Sequence, residues 1–522
     1  MCVEADTPFK PSALTIAVLT CTTQLVYHIR ESDSHMAPWF LCAVAAAPRH
    51  AAQSLSPATG TASLPVDWWP CKNGNLNHTG YSADAVGLPT ELSAGPTWTW
   101  QSEVADDILR ATPLIDAEHN VYAATVTSGH IIKLSPQGTE LWRWRAGEQI
   151  PAGPVLMDGM VVTTMGNGSV VALEMATGLP RWRTELHDAA PMDTTSNSAG
   201  FGTIITSSVG GAGFLGEKRV IALDANGARR WELQLPDAPG LVNGAAYNIL
   251  VALVRCPAHG ESAIFSDSVG DVYKVRLATG ELIWRVDGPS QNGAILGGMS
   301  TGGAIVGPDG TIYVTTNVGL GGVPTEMGAG TEGVMSVVRG HSHGIVSAHE
   351  LSTGAVKWRA DLGEENVANN APSIGPLQGA DSPLRVVVTV GPNPTQASSA
   401  TPATGTTGPA EAAKTIALDA ATGGVVWEYE MPVWHGPTAG DSTTHICLPD
   451  SSANVAIGSD GAVYVPHEDG VLYALRDVNA DGNISDDEVQ TYDLGSGFQA
   501  APALAPGMLV VASCAGRVAA WV

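Results

Sequence analysis

A short pattern recurs along this chain: an apolar run, a turn that contains glycine, and a second run that carries tryptophan. The clearest copies end at Trp182, Trp231, Trp284, Trp358 and Trp427, and a weaker copy spans residues 133–142. Each copy predicts a strand, a tight turn in which glycine takes a positive φ, and another strand. Internal repetition of this kind constrains the fold more strongly than any single segment does.

Two more short apolar runs precede each copy. Residues 153–157 and 160–164, separated by Asp158 and Gly159, are one example. Sixty glycines, 34 prolines and only 15% charged residues are also typical of many short strands joined by tight turns. Units of four strands predict antiparallel blades packed around an axis. The repeated tryptophans are then structural, because an indole buries roughly 150–250 Å² between neighbouring sheets.

The chain holds eight such units. Seven complete strand sets are predicted at residues 111–145, 151–187, 190–236, 245–288, 300–363, 370–431 and 452–495. Residues 500–522 supply three further strands, and residues 96–102 supply the missing fourth, which closes the ring and removes an exposed sheet edge. The predicted fold class is therefore all-β: an eight-bladed β-propeller of four-stranded antiparallel blades, closed by an N-terminal strand. Seven blades is the alternative count.

The pattern Ala-x-Asp-x-x-Thr-Gly-x-x-x-Trp, complete at residues 417–427, resembles the docking motif of the PQQ-like, quinoprotein-type β-propeller repeat family. Residues 64–80 are similar to the lead-in often found before the first blade. The resemblance covers residues 64–522 and implies the fold, but such propellers include dehydrogenases and binding scaffolds alike. Residues 1–63 are predicted to be a disordered leader or a signal segment, with apolar stretches at 12–21 and 36–47 that suit a signal-peptide core.

One segment, residues 477–488, has the spacing of an EF-hand-like calcium loop, with oxygen donors at positions 1, 3 and 5, glycine at 6 and glutamate at 12. The predicted ligands are Asp477, Asn479, Asp481, the carbonyl of Asn483, Ser485 through a water, and both carboxylate oxygens of Glu488. A solvated acidic turn is the alternative.

The flanks of this loop distinguish it from a calcium sensor. Residues 471–476 and 489–494 both alternate like strands, whereas an EF-hand has a helix on each side. Calcium is therefore expected to stabilise a long turn between two strands of the seventh blade. This loop replaces the Thr-Gly turn found in other blades, and Tyr492 takes the place of the repeated tryptophan.

Alternation of antiparallel strands A to D separates the connections of every blade. The A–B and C–D turns lie on one side of the ring, here called the turn face, and the B–C and D–A connections lie on the other, the loop face. Insertions at residues 317–344, 391–414 and 207–218 all fall between strands B and C. Since long loops on a rigid scaffold commonly form binding sites, we expect a protein or carbohydrate ligand on the loop face. His341 and His343 are candidate metal ligands, with solvent-exposed histidines as the alternative.

The family resemblance also implies an enzymatic alternative. Family dehydrogenases typically hold PQQ over an axial calcium ion, beside a disulfide between adjacent cysteines. This chain has no Cys-Cys pair, its calcium loop is predicted in an outer turn, and no catalytic aspartate can be matched. Accordingly, no catalytic or cofactor-binding residue is assigned and PQQ is not expected. Trp434, His435 and Asp441 are interpreted as a turn, with a position facing the axis as the alternative. The predicted function is a non-catalytic, calcium-binding scaffold, with a PQQ-dependent quinoprotein oxidoreductase as the alternative.

Charge and cysteine content limit partners and location. With 51 acidic and 25 basic residues the net charge is −26, which argues against nucleic acid and anionic membranes. No stretch reaches the ~20 apolar residues of a spanning helix, and a monomer is expected. Four of the seven cysteines follow the leader, which allows one or two disulfides or buried free thiols. The predicted location is secreted or in the secretory-pathway lumen, with the cytoplasm as the alternative.

Overall fold

The computed structural model describes residues 66–89, 91–186, 197–209, 218–236, 250–267, 270–288, 302–318, 343–364, 366–391, 410–435, 438–441, 447 and 451–522. These residues form eight four-stranded antiparallel sheets and one two-stranded sheet. The predicted eight-bladed β-propeller is confirmed, and the alternative of seven blades is wrong. Within these ranges, no helix is long and apolar enough to cross a membrane.

Strands A to D follow one another along the chain in the first seven blades. Blade one contains Leu114–Ile115, Val121–Ala124, His130–Leu134 and Glu140–Arg145; blade two contains Val155–Met157, Met160–Thr164, Ser169–Glu174 and Pro180–Glu185; blade three contains Ser198–Gly200, Thr203–Val209, Lys218–Asp224 and Arg229–Gln234; blade four contains Ala252–Cys256, Gly260–Ser266, Val272–Arg276 and Leu282–Val286. Strand A of blade two is fully buried whereas its strand D is half exposed, as expected if strand A lies nearest the axis.

The remaining strands repeat this arrangement. Blade five contains Ala304–Val306, Thr311–Val318, His343–Glu350 and Val356–Glu364; blade six contains Ser373–Pro376, Leu384–Val390, Lys414–Asp419 and Val425–Glu430; blade seven contains Ala456–Ile457, Val463–Pro466, Val471–Leu475 and Val489–Asp493. Short 3-10 helices span Leu92–Ala94 and Asp486–Glu488, and the two-stranded sheet pairs Ala410–Glu411 with Trp434–His435.

Blade eight joins the two ends of the described chain. Its strands A to C are Ala503–Ala505, Met508–Ser513 and Arg517–Trp521, and its outermost strand is Trp98–Gln101. Trp98 lies opposite Ala520 and Gln101 opposite Arg517. The predicted closure by an N-terminal strand is therefore confirmed.

Neighbouring blades interlock through the repeated tryptophans. In five pairs of blades, the indole Nε1 of strand D donates a hydrogen bond to a carbonyl in the C–D turn of the next blade. The pairs are Trp98 with Pro136, Trp142 with Met175, Trp182 with Ala225, Trp231 with Leu277 and Trp358 with Ala420, at 2.8–3.1 Å. Between blades four and five, Lys274 Nζ instead donates to the equivalent carbonyl, Leu351 O, at 2.9 Å. The tryptophans thus have the structural role predicted for them.

A glycine in each of these turns lies directly beneath the indole, and this arrangement gives a testable prediction. Gly227 has φ +82°, and a Cβ there would lie 2.5 Å from Cε3 of Trp182. Gly159 also has a positive φ, of +75°, but no atom lies within 4 Å of a Cβ built on it. We expect Gly227→Ala to lower the free energy of unfolding by about 2 kcal/mol more than Gly159→Ala does, because only the first adds overpacking to backbone strain. Equal losses in urea denaturation would contradict the interlock.

A segment near the N-terminus runs through the centre of the ring. Residues 69–86, here called the axial segment, make a hydrogen bond to strand A, or to the turn after it, in every blade. The contacts reach Ile115, Leu156, Ser198, Leu253, Val306, Ile374, Ile457 and Gly507. Since Ile115, Val306 and Ile457 end their strands at the A–B turn, the segment lies toward the turn face. It contains most of the lead-in recognised at residues 64–80, and it links all eight blades.

Candidate functional site

The predicted calcium loop connects strands C and D of blade seven on the turn face. Its first and last ligands are buried: Asp477 is 4% exposed and Glu488 is 7% exposed. The Asp477 carboxylate accepts hydrogen bonds from the backbone N–H groups of Asp481 and Gly482, both at 3.2 Å. These bonds curl the chain around the carboxylate, as the predicted spacing requires.

Glu488 closes the loop from the other side. Its Oε1 accepts the N–H of Val478 at 2.7 Å, and its Oε2 accepts both the N–H and the hydroxyl of Ser485, at 3.0 and 2.9 Å. The hydrogen bonds from Ser485 and from the backbone amides of Val478 and Asn479 hold the pKa of the Glu488 carboxyl below its usual value. The carboxylate is therefore ionised at neutral pH, the form that calcium requires.

The other predicted ligands stand on the exposed side of the loop. Asn479 Oδ1 accepts the N–H of Asp481 at 2.9 Å, and Asp481 Oδ1 accepts the N–H of Asn483 at 2.9 Å. Across the described ranges, no group of three or more His, Cys, Asp or Glu side chains is arranged to hold a metal ion. All the predicted donors thus lie on one turn. The carboxylates of Asp477 and Glu488, at the two ends of the loop, accept hydrogen bonds from backbone N–H groups.

The calcium loop also contacts blade six. A Cβ at Gly482 would lie 3.1 Å from the carbonyl oxygen of Val426 in strand D of that blade. Ile484 is 8% exposed and packs in one apolar cluster with Trp427. Gln378, in the A–B turn of blade six, donates from Nε2 to Asp477 Oδ2 at 3.3 Å. The loop therefore occupies the place that the Thr-Gly turn occupies between other blades.

Toward the loop face, five side chains that carry a hydroxyl group lie at the same position of strand B in neighbouring blades. They are the strand B residues Thr164, Ser207, Ser266, Thr315 and Thr389 of blades two to six, which share one register and are all buried. Asparagines from two D–A connections bond to two of these hydroxyls. Thr164 donates to Asn197 Oδ1 at 2.8 Å, and Asn370 Nδ2 reaches both Thr389 Oγ1 and the carbonyl of Ser452. Buried polar side chains thus occupy the same position of strand B in these five blades.

Residues 438–441 and Cys447, in the connection between blades six and seven, are here called the strap and lie against blades seven and eight on this face. A disulfide joins Cys447 to Cys514, which lies in the B–C turn of blade eight. The backbone of Ala439 bonds to Glu468 and to Gly497, at 2.9 Å in each case. The interpretation of Trp434 and His435 as a turn is wrong, because they form a short strand paired with Ala410–Glu411, whereas the sequence leaves the cysteine pairing open. Cys71, by contrast, keeps a free thiol, and burial raises its pKa to about 12.

Asp441, on the strap, has a carboxyl group with a raised pKa. Burial raises its pKa to about 7, although the N–H of Cys447, which donates to both carboxylate oxygens, and the positive charge of Arg110 favour the ionised form. Arg110 belongs to the connection that enters blade one, so two distant segments meet here. A carboxyl with a pKa near neutrality can take up or release a proton under physiological conditions. Its sequence context gave no signal of this environment.

Two further ionisable residues lie beneath the strap in the B–C turn of blade seven. His467 and Glu468 are both fully buried. His467 Nδ1 lies 3.1 Å from Asp469 Oδ1, and the other oxygen of Asp469 accepts a hydrogen bond from the hydroxyl of Tyr473 at 2.7 Å. Together with Asp441 and Arg110, His467 and Glu468 place four ionisable groups near the junction of blades seven, eight and one.

The insertion in blade five begins and ends differently from the prediction. Strands B and C pair as far as Val318 and His343, so the connection is residues 319–342. His343 lies in strand C, with Nε2 3.7 Å from Asp361 Oδ2, and its predicted position in a loop is wrong. His341 lies outside the described residues, as do most of the insertions in blades three and six.

The fold and the repeat together define a quinoprotein-type β-propeller of the PQQ-like class. Residues 127–331 and 268–521 match the model of the family described as outer membrane protein assembly factor BamB, and the chain belongs to that family. No curated protein matches the chain.

Solved structures with the same fold include a BamB protein and several dehydrogenases. BamB from Moraxella catarrhalis is 17% identical, with a TM-score of 0.50 over 82% of this chain and 97% of that one. A quinohemoprotein alcohol dehydrogenase from Pseudomonas putida is 13% identical, with a TM-score of 0.55 over 87% and 80%. A europium-containing methanol dehydrogenase is 14% identical, with a TM-score of 0.56 over 86% and 89%. At these identities the likeness establishes the fold and leaves the activity open.

Proposed function

We propose that this protein is a non-catalytic, calcium-binding propeller that binds a protein or carbohydrate partner on its loop face. The observation that carries the proposal is the family match over residues 127–331 and 268–521, whose description names an assembly factor. The net charge of −26 favours a partner with a basic or polar surface. The strap and the B–C insertions would form the binding surface, because they stand on a rigid ring.

The calcium part of the proposal concerns the 477–488 loop. Asp477, Asn479, Asp481 and Glu488 would supply side-chain oxygens, Asn483 its carbonyl, and Ser485 a water-mediated contact. The donor chemistry fits calcium, since every donor is oxygen and Glu488 is held ionised by its hydrogen bonds.

Calcium at a hundredfold excess over its Kd should raise the free energy of unfolding by about 2.7 kcal/mol, because only the folded chain presents the site. Calorimetric titration and thermal unfolding would measure this on the full chain. Glu488→Gln, which retains the side-chain size but removes the charge, should bind calcium more weakly. If this variant binds calcium as tightly as the parent protein does, or if the parent protein binds no calcium, the calcium assignment is wrong.

The second candidate function is a PQQ-dependent oxidoreductase, favoured by Asp441 beside Arg110 on the loop face. The residues do not fit the family's arrangement for PQQ, however. The Cys447–Cys514 disulfide joins residues 67 apart in sequence, and the calcium loop packs against blade six at the turn face. We therefore derive no reaction step through the cofactor.

Reconstitution with PQQ and calcium distinguishes the two candidates. With alcohols or aldose sugars and an artificial electron acceptor, we expect no turnover above that of buffer. Turnover that requires PQQ and falls at least a hundredfold in Asp441→Asn, the loss expected when a general base is removed, would favour the oxidoreductase. Asp361→Asn, an exposed carboxyl of blade five, is the matched control.

The domain boundaries, the location and the oligomeric state complete the proposal. Residues 64–522 would form the propeller domain, and residues 1–63 a leader that folding does not need. The Cys447–Cys514 disulfide supports a secreted protein or one of the secretory-pathway lumen, because such bonds persist in oxidising compartments. A cytoplasmic location is the alternative, and the closed ring suits a monomer.

A further inference from the structure

The calcium loop lies at an interface where the usual contact between blades is replaced. Five interfaces use an indole hydrogen bond to the next C–D turn. Between blades six and seven the C–D turn is instead the longer loop, residues 477–488. Trp427 is 3% exposed and packs with Ile484 of that loop. The loop therefore contributes to the packing of blade seven on blade six, beside the apolar side chains of the strands.

One side chain connects the predicted first calcium ligand with the neighbouring blade. Gln378 lies next to Leu377, which is buried in the same apolar cluster as Trp427 and Ile484. Its amide Nε2 donates to Asp477 Oδ2, which also accepts the N–H of Gly482. The same carboxylate oxygen is thus held by its own loop and by blade six.

We propose that calcium in this loop clamps blade seven onto blade six, with Gln378 as a positioning residue that orients Asp477 toward the ion. The clamp rests on the calcium site proposed above. An ion that fixes Asp477 also fixes the acceptor for Gln378, and Gln378 in turn holds the carboxylate in place before the ion arrives. Coupling of this kind is reciprocal, so the blade contact strengthens calcium binding by the same factor by which calcium strengthens the contact.

The clamp differs from a calcium effect confined to the loop. Its influence would extend into strand D of blade six, Val425–Glu430, because Gly482 lies against the carbonyl of Val426. Calcium should therefore slow hydrogen exchange in blade six as well as in the loop itself. A purely local site would protect only residues of blade seven.

Gln378→Met tests the proposal, since methionine retains the length of the side chain and removes the amide donor. On the full chain, calorimetric titration with calcium should show an affinity about fivefold weaker than that of the parent protein, the loss expected for one hydrogen bond. Calcium-dependent protection of residues 425–430, measured by hydrogen-exchange mass spectrometry, should shrink in parallel. Gln137→Met, an exposed glutamine in the C–D turn of blade one, is the matched control and should leave both measurements unchanged.

Two results would overturn the clamp, and they are distinguishable. If the parent protein takes up no calcium, the calcium site itself is wrong and the clamp falls with it. If the parent binds calcium, but Gln378→Met binds equally well and protects residues 425–430 to the same extent, the site stands and the clamp is wrong. Gln378→Ala provides an independent repeat of the same comparison.

Discussion

A chain that begins at residue 103 should fail to form a soluble ring, whereas a chain that begins at residue 64 should fold like the full-length protein. The first truncation removes both the outermost strand of blade eight and the axial segment. It leaves Arg517–Trp521 with an unpaired edge and removes the segment that contacts all eight blades. Since a domain is stable by only about 5–15 kcal/mol, the loss should exceed the whole stability.

Size-exclusion chromatography and near-ultraviolet circular dichroism would show the outcome as aggregation and loss of fixed tertiary packing. Trp69→Ala tests the contribution of the axial segment while the closing strand stays present. Trp69 is 1% exposed and exchanges backbone hydrogen bonds with Ile115, so its truncation should cost about 3–5 kcal/mol while blade eight stays closed. A monomeric, fully folded chain without residues 1–102 would show that the ring closes by another route.

Acidification from pH 7 to pH 4 should cost the protein about 3 kcal/mol of stability through His78 alone. This histidine is fully buried in the axial segment, with Nδ1 2.6 Å from the carbonyl of Lys72 and Nε2 3.1 Å from the hydroxyl of Ser198. Burial lowers its pKa to about 4, from an ordinary value of 6.5. The unfolded chain therefore binds a proton near pH 6.5 that the folded chain refuses until about pH 4, so the contribution is complete above pH 6.5 and is lost as the pH falls.

Two carboxyl groups act in the opposite direction over the same range. Burial raises the pKa of Asp67 to about 6 and that of Asp441 to about 7, so acidification favours the folded state at both positions. The measurement must therefore compare variants. Urea denaturation of the parent protein and of His78→Gln at pH 7 and pH 4 should show the parent losing about 3 kcal/mol more than the variant. An equal loss in both chains would mean that folding does not lower the pKa of His78.

The blade architecture was predictable because each unit is encoded locally. A strand, a glycine turn and a tryptophan strand recur in segments short enough to recognise, as at residues 171–182 and 417–427. The number of blades follows from pairing Trp98–Gln101 with the C-terminal strand, which completes an eighth sheet. An unpaired sheet edge there would be unfavourable. The calcium loop was recognisable for the same local reason, and calcium binding there remains a prediction.

The grouping of Asp441, Arg110, Cys447 and Cys514 on the loop face was not predictable, because these residues come together only through contacts between distant segments. Asp441 was interpreted as part of a turn, and nothing in its neighbourhood along the chain indicates burial beside Arg110. The pairing of Cys447 with Cys514 required knowing that the six–seven connection crosses to blade eight. The prediction that His343 lies in a loop is wrong, in contrast, because strand C of blade five extends beyond the repeated motif.

The sequence by itself thus determined the all-β fold, the eight blades, the closing strand and the position of the acidic loop in blade seven, all of which depend on patterns within a few tens of residues. Only the tertiary structure decided that residues 69–86 run along the centre of the ring, that the acidic loop packs on blade six, and which charged groups are buried together. These features depend on packing between blades. The hydrophobic and hydrogen-bonding partners that create them lie up to hundreds of residues apart, and no local pattern encodes their proximity.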